Sequence, residues 1–489
     1  MGLLLDLVYL AALVLCSPWL LWRAATTGRY REGYAEKLLG RVPMRRGDRP
    51  CVWFHAVSVG EVNLLAPLLA DIAERFSNWQ CVVSTTTHTG MELARRKYSG
   101  LTVFYCPMDF TWAVRRAMRR VRPDVLALVE LELWPNLIRA ARQYGARVAV
   151  INGRLSDRSF RGYRRVRWLL GRVVGSIDLV LAQDGTYAER FRALGARAEA
   201  VHVTGSMKYD GAQTDRSNPA TRLLAERAGI APDDTIWLAG STQQPEETIV
   251  LDVFRRLVPR WPRLRLVLVP RHPERFDEVT RLVERSGLAF ARRSAWGRLV
   301  DPPGDAPSKE RQASAGCPGG GERWQVLLVD TVGELRDWWG TAHIAFVGGS
   351  LGNRGGQNMI EPAAYGAAVS FGPNTRNFRD IVASLLEHEA AVVVRDADEL
   401  AAFVERCLAD PGFADQLGRR AQRLVLRQLG ATRRTAELLA WLVEQPAYGA
   451  NVAAEGLGRH HVCHNCPDPP FPTAPRAEPQ SDPRRAAPS

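Results

Sequence analysis

The sequence predicts an α/β protein in which two doubly wound domains follow one another along the chain. Its 489 residues exceed what one hydrophobic core usually organises. Short apolar segments alternate with helical segments along two stretches, and this alternation is typical of parallel sheets covered by helices on both faces. Ligands of such sheets bind at the carboxyl ends of the strands, so we expect the functional residues in the loops that follow strands.

The first alternating stretch begins at Cys51. Residues 51–57 and 81–87 are predicted strands, and helical segments follow them at 62–76 and 91–97. Further apolar segments continue the pattern at residues 101–107, 125–130, 147–152 and 179–183. We therefore expect a first doubly wound domain over residues 23–210.

A second stretch of the same kind begins near Ile236. Its predicted strands are residues 235–242, 265–270, 325–330, 343–349 and 367–373. We expect a second domain over residues 211–445, with a cleft between the two domains. Residues 301–324 are rich in Pro, Gly and Ser and predict a surface insertion, while residues 446–489 lack periodicity and predict a disordered tail.

The composition favours an anionic partner. The net charge is +13, which suits an anionic membrane or a phosphorylated substrate. No recognisable nucleic-acid-binding motif is present, so we expect no nucleic-acid partner. Cys463 and Cys466 form a lone CxxC pair beside histidines in the tail, without a second ligand pair, and we expect no metal there. The cysteines in apolar segments are predicted to be reduced core residues, namely Cys16, Cys51, Cys81 and Cys106.

The N-terminus carries a predicted membrane anchor over residues 1–22. Residues 3–22 are nearly all apolar and about as long as the ~20 residues that span a bilayer. Asp6, Ser17 and Pro18 interrupt the run, so a helix lying partly in one leaflet is an open alternative. Residues 23–50 hold eight Lys or Arg against three acids, which predicts a body on the cytoplasmic side, in contact with membrane lipids.

Charged residues at three places in the first stretch are candidates for catalysis. Glu61 follows the first predicted strand, where a carboxylate can act as a general base or simply complement the helix dipole. Glu130 and Glu132 follow a later strand, and we expect one of them to have a raised pKa or to cap the next helix. Lys208 ends the first domain, where it can reach a ligand anion or remain a solvated surface lysine.

The second stretch predicts a nucleotide site. The segment Phe346–Pro362 runs from a strand through glycine-rich turns into a helix, and glycines allow the backbone to approach a ligand closely. Arg271 follows a strand, and its guanidinium group could bind a phosphate through paired hydrogen bonds. The alternative is that it forms an interdomain salt bridge. We expect the ribose hydroxyls of a nucleotide to hydrogen-bond to a carboxylate such as Glu361. The base is expected to pack against the backbone near Gly333. The GxGxxG and GxxxxGK[ST] patterns are absent.

Eight segments in order resemble the 3-deoxy-D-manno-octulosonic acid (Kdo) transferases of lipopolysaccharide synthesis. They are HAVSVGE, ELELWPN, NGRLSDRSFRGY, GSMKYD, GST, VPRHPERF, DTVGEL and FVGGSLGNRGGQNMIEPAAYG. The resemblance covers roughly residues 1–445. It implies the GT-B glycosyltransferase fold of two Rossmann-like domains. It also implies inverting transfer of Kdo from CMP-Kdo to the lipid A precursor, lipid IVA, at the cytoplasmic face of the inner membrane, without a cofactor or catalytic metal.

The resemblance also assigns site residues. Glu61 would be the general base, and Glu130 and Lys208 would stabilise the transition state. The expected contacts to CMP are Pro270, Arg271, Val332, Gly333, Glu334, Asn358, Met359, Ile360 and Glu361. The sequence departs from the family pattern at Gln357, where His is frequent, and at Leu131, where Thr is common. The open alternative is a GT-B transferase or epimerase that uses another nucleotide sugar. A non-catalytic nucleotide-binding or scaffolding protein is disfavoured because the four charged residues at 61, 130, 208 and 271 are all present.

Overall fold

The computed structural model describes residues 2–27, 32–296 and 323–445. The chain divides into two units, the first built from residues up to Asp210 together with the described residues from Gln428, the second from Gly211–Arg427. Each unit contains a seven-stranded sheet. The predicted insertion lies almost wholly, and the predicted tail entirely, outside the described residues.

The first unit alternates strands and helices as the sequence predicts. Its strands are β1 (Cys51–His55), β2 (Gln80–Thr85), β3 (Thr102–Tyr105), β4 (Val125–Val129), β5 (Arg147–Gly153), β6 (Leu179–Ala182) and β7 (Val201–Val203). Its helices up to residue 210 are α1 (Gly2–Thr27), α2 (Tyr34–Leu39), α3 (Val59–Arg75), α4 (His88–Lys97), α5 (Thr111–Val121), α6 (Pro135–Gln143), α7 (Asp157–Arg165), α8 (Arg167–Val174) and α9 (Gly185–Leu194).

The second unit repeats the layout. Its strands are β8 (Thr235–Thr242), β9 (Leu264–Pro270), β10 (Phe290–Arg292), β11 (Val326–Leu328), β12 (Ile344–Val347), β13 (Ala368–Phe371) and β14 (Val392–Val393). Its helices are α10 (Pro219–Arg227), α11 (Glu246–Leu257), α12 (Phe276–Arg285), α13 (Leu335–Trp338), α14 (Ile360–Ala364), α15 (Arg379–Glu387), α16 (Ala397–Ala409) and α17 (Pro411–Gln428). A last helix, α18 (Ala431–Glu444), follows.

The central strands are buried on both faces, which is why they are continuous apolar runs rather than alternating ones. Every residue of β1, β4 and β9 is buried. All strand pairings are parallel, including that of β1 with β4, where Val52 lies opposite Val125. Helices cover both faces of such sheets, so side chains of both faces enter separate hydrophobic clusters.

Three short strands were not predicted. β7, β10 and β14 contain three, three and two residues. They lie at sheet edges, since the strand orders are β3-β2-β1-β4-β5-β6-β7 and β10-β11-β9-β8-β12-β13-β14. Segments this short carry too few residues for a hydrophobic pattern, and their pairing with a neighbouring strand defines them.

The expected domain boundary at residue 445 differs from the structure, because the C-terminal helix returns to the first unit. Leu438, Leu439 and Leu442 on α18 are buried in the same hydrophobic cluster as residues of α3 and β4. Their burial there joins α18 to the first unit rather than to the second. Apolar spacing predicts that this helix is amphipathic but does not indicate which sheet it covers.

Helix α1 is attached to the first unit through polar contacts near its start. The Asp6 carboxylate accepts hydrogen bonds from the Thr111 backbone N–H at 2.8 Å and from Asn136 Nδ2 at 3.3 Å. Tyr9 donates to Asp109 and its ring packs edge-on against Phe110. Within the described ranges, no helix has the length and apolar character needed to cross a membrane, so the expected transmembrane anchor is not supported.

We predict that shortening Leu439 to Ala destabilises the first unit. The side chain is fully buried, and removing such a side chain typically costs about 2–5 kcal/mol. Hydrogen exchange should accelerate in β4 and β5 while β8 and β9 remain protected. Leu424→Ala on α17, a nearly buried leucine of the second unit, is the control and should show the reverse pattern. Equal acceleration in both sheets by Leu439→Ala would contradict this assignment of α18.

Candidate active site

The first sheet reverses its strand order between β1 and β4, because β2 and β3 extend on one side and β4 to β7 on the other. The loops that follow two such strands diverge, and the space between them is where ligands bind in open parallel sheets. Glu61 comes from the loop and helix after β1, whereas Glu130 and Glu132 come directly after β4. The topology therefore brings the three carboxylates to one place.

Glu61 is held by the start of helix α3. Ser58 is the N-cap, and its Oγ accepts the Glu61 N–H at 3.4 Å. In return, the carboxylate accepts Ser58 Oγ–H at 2.8 Å and the Val57 N–H at 2.8 Å. This arrangement resembles a capping box and fixes the carboxylate in one orientation. The capping and catalytic interpretations of Glu61 are thus compatible.

Burial sets the acidity of Glu61. Desolvation raises the pKa of its carboxyl group, the hydrogen bonds from Val57 and Ser58 oppose the rise, and the charge of Glu130 adds to it. A raised pKa makes the carboxylate a stronger base. His55 on β1 is not a candidate general base, because it is fully buried and burial lowers its pKa to about 4.

Glu130 forms an ion pair with Lys208. The Lys208 Nζ lies 2.8 Å from Glu130 Oε1, with both side chains partly exposed. Glu130 has a φ of 58°, a left-handed conformation that costs energy for a residue other than glycine. The turn directs the Glu130 N–H to the Ile151 carbonyl at 2.9 Å. Backbone strain of this kind concentrates at functional sites.

Glu132 is the carboxyl group with a strongly raised pKa. Burial raises the pKa of Glu132 to about 7, and the neighbouring charges of Glu61 and Glu130 contribute, against a hydrogen bond from Trp134. Trp134 Nε1 donates to Glu132 Oε2 at 2.9 Å. Glu132 therefore favours its protonated form below about pH 7.

The Lys208 loop is held by residues at the end of α17 and the start of α18. The Ser206 N–H donates to Gln428 Oε1 at 2.8 Å, and Arg434 Nε donates to the Thr204 carbonyl at 2.8 Å. The Met207 N–H donates to Asn152 Oδ1 at 3.0 Å. Asn152 is the penultimate residue of β5, so the lysine loop is bonded both to the sheet and to the region where α17 leads into α18.

In the second unit, the predicted nucleotide residues gather at the carboxyl edge of its sheet. Pro270 is the last residue of β9 and Arg271 follows it, and the Arg271 N–H donates to the Thr242 carbonyl at 3.0 Å. Val332 is 75% exposed and Gly333 has a φ of 96°, so this turn after β11 presents both side chain and backbone to solvent. The side chains of Met359 and Ile360 are buried, so contact with a ligand from these residues would involve their backbone.

Glu334 is engaged within the protein. Arg293 donates to its carboxylate at 2.7 and 2.9 Å, and Thr331 Oγ1 donates at 2.9 Å. Arg293 is almost fully buried, so the pair is a structural support of the 330–335 turn. The neighbouring Arg292 likewise pairs with Asp330 at 2.7 Å. Sequence reasoning did not find either arginine, and two adjacent basic residues before an insertion gave no signal.

Asn358 and Glu361 form a unit at the start of α14. Asn358 Nδ2 donates to Glu361 Oε1 at 3.1 Å, and the Asn358 Oδ1 accepts the Ile360 N–H at 3.1 Å. The pKa of Glu361 is raised overall, because burial raises it more than the hydrogen bond from Asn358 lowers it. A carboxylate that is oriented and partly desolvated in this way can accept hydrogen bonds from hydroxyl groups.

Comparisons with known proteins agree with these features. Residues 31–211 match the family described as 3-deoxy-D-manno-octulosonic-acid transferase (kdotransferase). The chain is 32% identical over 451 residues to the 3-deoxy-D-manno-octulosonic acid transferase of Haemophilus influenzae, covering 89% of this chain and 98% of that protein. It is 34% identical over 437 residues to the Bordetella pertussis transferase of the same name, covering 87% and 95%.

The chain belongs to the Kdo transferase family. It is therefore a glycosyltransferase. A crystal structure of the C-terminal CMP-Kdo binding domain of WaaA from Acinetobacter baumannii is similar at 28% identity, covering 42% of this chain and 97% of that one, with a TM-score of 0.36.

Within this Kdo transferase, the structure brings Glu130 and Lys208 into contact and sets Glu61 close enough for its charge to act on Glu132. Glu132 itself was recognised in the sequence only as one of two alternative carboxylates. The sequence predicted a raised pKa for one of the glutamates at 130 and 132, and in the structure Glu132 is the one with the raised pKa. The catalytic and nucleotide-binding roles stay predictions.

We predict that Ser58→Ala moves the acid limb of the pH–rate profile to higher pH. A base must be ionised to accept a proton, so transfer declines as the pH falls through the pKa of Glu61. The Ser58 hydroxyl stabilises the ionised form, and its loss raises that pKa further. At a pH above both pKa values the rate should be largely retained. The measurement is kcat/KM as a function of pH.

The control for lost helix capping is Asp396→Ala. Asp396 caps α16 in the second unit by accepting the Asp398 and Glu399 N–H groups. Loss of either cap costs about 1 kcal/mol. An acid limb that stays in place in Ser58→Ala, or that moves equally in the control, would contradict the role given to the hydroxyl.

Proposed function

We propose that this enzyme transfers Kdo from CMP-Kdo to lipid IVA with inversion and without a catalytic metal, and that its two units form the GT-B fold. The observation that carries the proposal is the fixed Glu61 carboxylate beside the Glu130–Lys208 ion pair at the switch point of the first sheet. A base and a cation next to one another suit a reaction that moves a proton and stabilises negative charge.

In the proposed step, Glu61 accepts the proton of an acceptor hydroxyl as that oxygen bonds to the anomeric carbon of Kdo. The bond from the anomeric carbon to the phosphate oxygen breaks, and its electron pair leaves with CMP. Lys208 offsets negative charge on the donor, which carries both a carboxylate and a phosphate. The CMP moiety is assigned to the turns around Arg271, Gly333 and Glu361 in the second unit.

The acceptor is assigned to the first unit. Helix α7 contains Arg158, Arg161, Arg164 and Arg165. Burial raises the pKa of its Tyr163, and the nearby charge of Glu132 adds to the rise. Trp168, which follows on α8, is 80% exposed. Cationic and aromatic side chains on α7 and α8 suit a phosphorylated glycolipid, with the arginines on the phosphates and the indole at the lipid boundary.

We further propose that α1 attaches the enzyme to the cytoplasmic face of the inner membrane by lying in one leaflet. Its first turns are docked on the first unit through Asp6 and Tyr9. Elsewhere on its surface α1 leaves large apolar side chains exposed, among them Leu7, Val8, Leu10, Val14, Leu15, Trp19 and Trp22. A docked helix with an open apolar surface suits insertion at the boundary between head groups and acyl chains.

We predict that Glu61→Gln abolishes Kdo transfer but retains CMP binding. The amide keeps the size of the carboxylate and cannot accept the proton, while the residues assigned to CMP belong to the other unit. Purified protein would receive lipid IVA and CMP-Kdo generated in situ, with products analysed by mass spectrometry. CMP binding would be followed by calorimetry, with UDP as the competing nucleotide.

The matched control is Glu74→Gln, which changes an exposed glutamate on the same helix α3. It should leave transfer unchanged. Parallel loss of transfer and CMP binding in Glu61→Gln would make Glu61 a structural residue. A wild-type enzyme that binds UDP but neither binds CMP nor forms product would overturn the proposed donor and indicate another nucleotide sugar.

We predict that Leu15→Glu weakens membrane attachment without reducing nucleotide binding. Leu15 is 81% exposed, so a charge there disturbs no packing and opposes insertion into the acyl region. The measurement is co-sedimentation with vesicles of phosphatidylethanolamine and phosphatidylglycerol. Leu426→Glu, at an exposed leucine of α17, is the control and should sediment like the wild type. Equal sedimentation of both variants and wild type would contradict attachment through α1.

A further inference from the structure

The second sheet also reverses its strand order, between β8 and β12, and a buried carboxylate lies at that point. Glu246 is the first residue of α11 and is 1% exposed. Among the described residues, no basic side chain forms an ion pair with it. A buried ionised group without a cation needs strong hydrogen-bond donors, so its partners indicate its role.

Four backbone N–H groups surround the Glu246 carboxylate. Oε2 accepts from Gly349 at 2.7 Å and from Gln243 at 2.9 Å. Oε1 accepts from Ser350 at 2.9 Å and from Leu351 at 2.9 Å. Three of the four donors are consecutive residues of the loop after β12. The carboxylate therefore occupies the position that a bound anion takes in a nest of backbone amides.

The loop is shaped to allow this approach. A Cβ atom on Gly348 would lie 2.6 Å from the Ser241 carbonyl oxygen and 2.8 Å from Glu246 Oε2. Gly349 has a φ of 68°, which a side chain would disfavour. The two glycines thus serve the contact with Glu246. The sequence predicted that the glycines let this backbone approach a ligand closely, whereas the N–H groups of residues 349–351 bond to Glu246 within the protein.

Hydrogen bonds extend from this loop to the turn before α14. The Gly349 carbonyl accepts the Gly356 N–H at 2.7 Å. The Ser350 carbonyl accepts the Asn374 N–H at 2.9 Å, and Ser350 Oγ accepts the Gly372 N–H at 2.8 Å. Gly356 lies two residues before Asn358, so the placement of the Asn358–Glu361 group depends on the loop that Glu246 holds.

We propose that Glu246 is a positioning residue for the nucleotide donor. Its carboxylate fixes the 348–351 loop and, through the bond between Gly349 and Gly356, orients Asn358 and Glu361 toward the nucleotide. The inference rests on the proposed use of CMP-Kdo by the second unit. Glu246 itself makes no contact with the donor, so its loss should affect donor binding more than the chemical step.

The test is Glu246→Gln in the full-length enzyme. The Gln amide nitrogen would face backbone donors in place of an acceptor, leaving buried N–H groups unpaired. We expect CMP affinity to fall about tenfold or more, and the KM for CMP-Kdo to rise in proportion, with kcat at saturating donor nearly unchanged. Amide hydrogen exchange should accelerate at residues 349–351 and 356.

The matched control is Asp234→Asn. Asp234 is likewise a buried carboxylate of the second unit, but it lies just before β8, at the opposite edge of the sheet. It accepts the Ala231 N–H at 2.8 Å and pairs with Arg323 and Arg265. This variant should lose stability while its CMP affinity and the KM for CMP-Kdo stay at the wild-type values.

The outcomes separate the two proposals. Absence of CMP binding in the wild-type enzyme would overturn the proposed donor. Normal wild-type binding together with equal loss in Glu246→Gln and Asp234→Asn, or a fall in kcat alone, would overturn the positioning role. Glu246→Asp, which is one methylene shorter, serves if the Gln variant does not fold. It should also weaken CMP binding, and an unchanged affinity would contradict the inference.

Discussion

Each parallel sheet reverses its strand order once, and the candidate site residues depend on those two reversals. At the first, the segments after β1 and β4 diverge and deliver Glu61, Glu130 and Glu132. At the second, the segments after β8 and β12 deliver Glu246 and the loop of residues 348–351. In both places a carboxylate is held by backbone or side-chain donors, because the buried strands beneath leave little solvent to stabilise its charge.

Three neighbouring carboxyl groups in the first unit have different surroundings. Glu61 is partly desolvated but accepts two hydrogen bonds, Glu130 has an ammonium partner at 2.8 Å, and Glu132 has mainly an indole N–H. Burial and like charges raise the pKa of Glu132 to about 7, so the cluster avoids three adjacent negative charges. Such separation of pKa values divides base and stabilising roles among residues of one type.

The fold class and the positions of the main carboxylates could be predicted from the sequence. Continuous apolar strands indicate a parallel sheet. Glu130 directly follows one such strand, and Glu61 lies in the first turn of the helix after another. The contact between Glu130 and Lys208 could not be predicted, because the residues are 78 positions apart and β5 and β6 separate the strands that precede them. Glu246 could not be distinguished from an acid that complements the dipole of α11, since only the folded loop reveals its four donors.

The return of α18 to the first unit connects this helix to the candidate carboxylate cluster. Its apolar face contributes to the core of the first unit, and the segment before it fixes the Lys208 loop through Gln428 and through Asp210, which accepts the Gly430 N–H at 2.7 Å. The lysine therefore depends on contacts made more than two hundred residues later in the sequence. Because Lys208 holds Glu130, a disturbance of α18 reaches the carboxylate cluster without any change in the residues that form it.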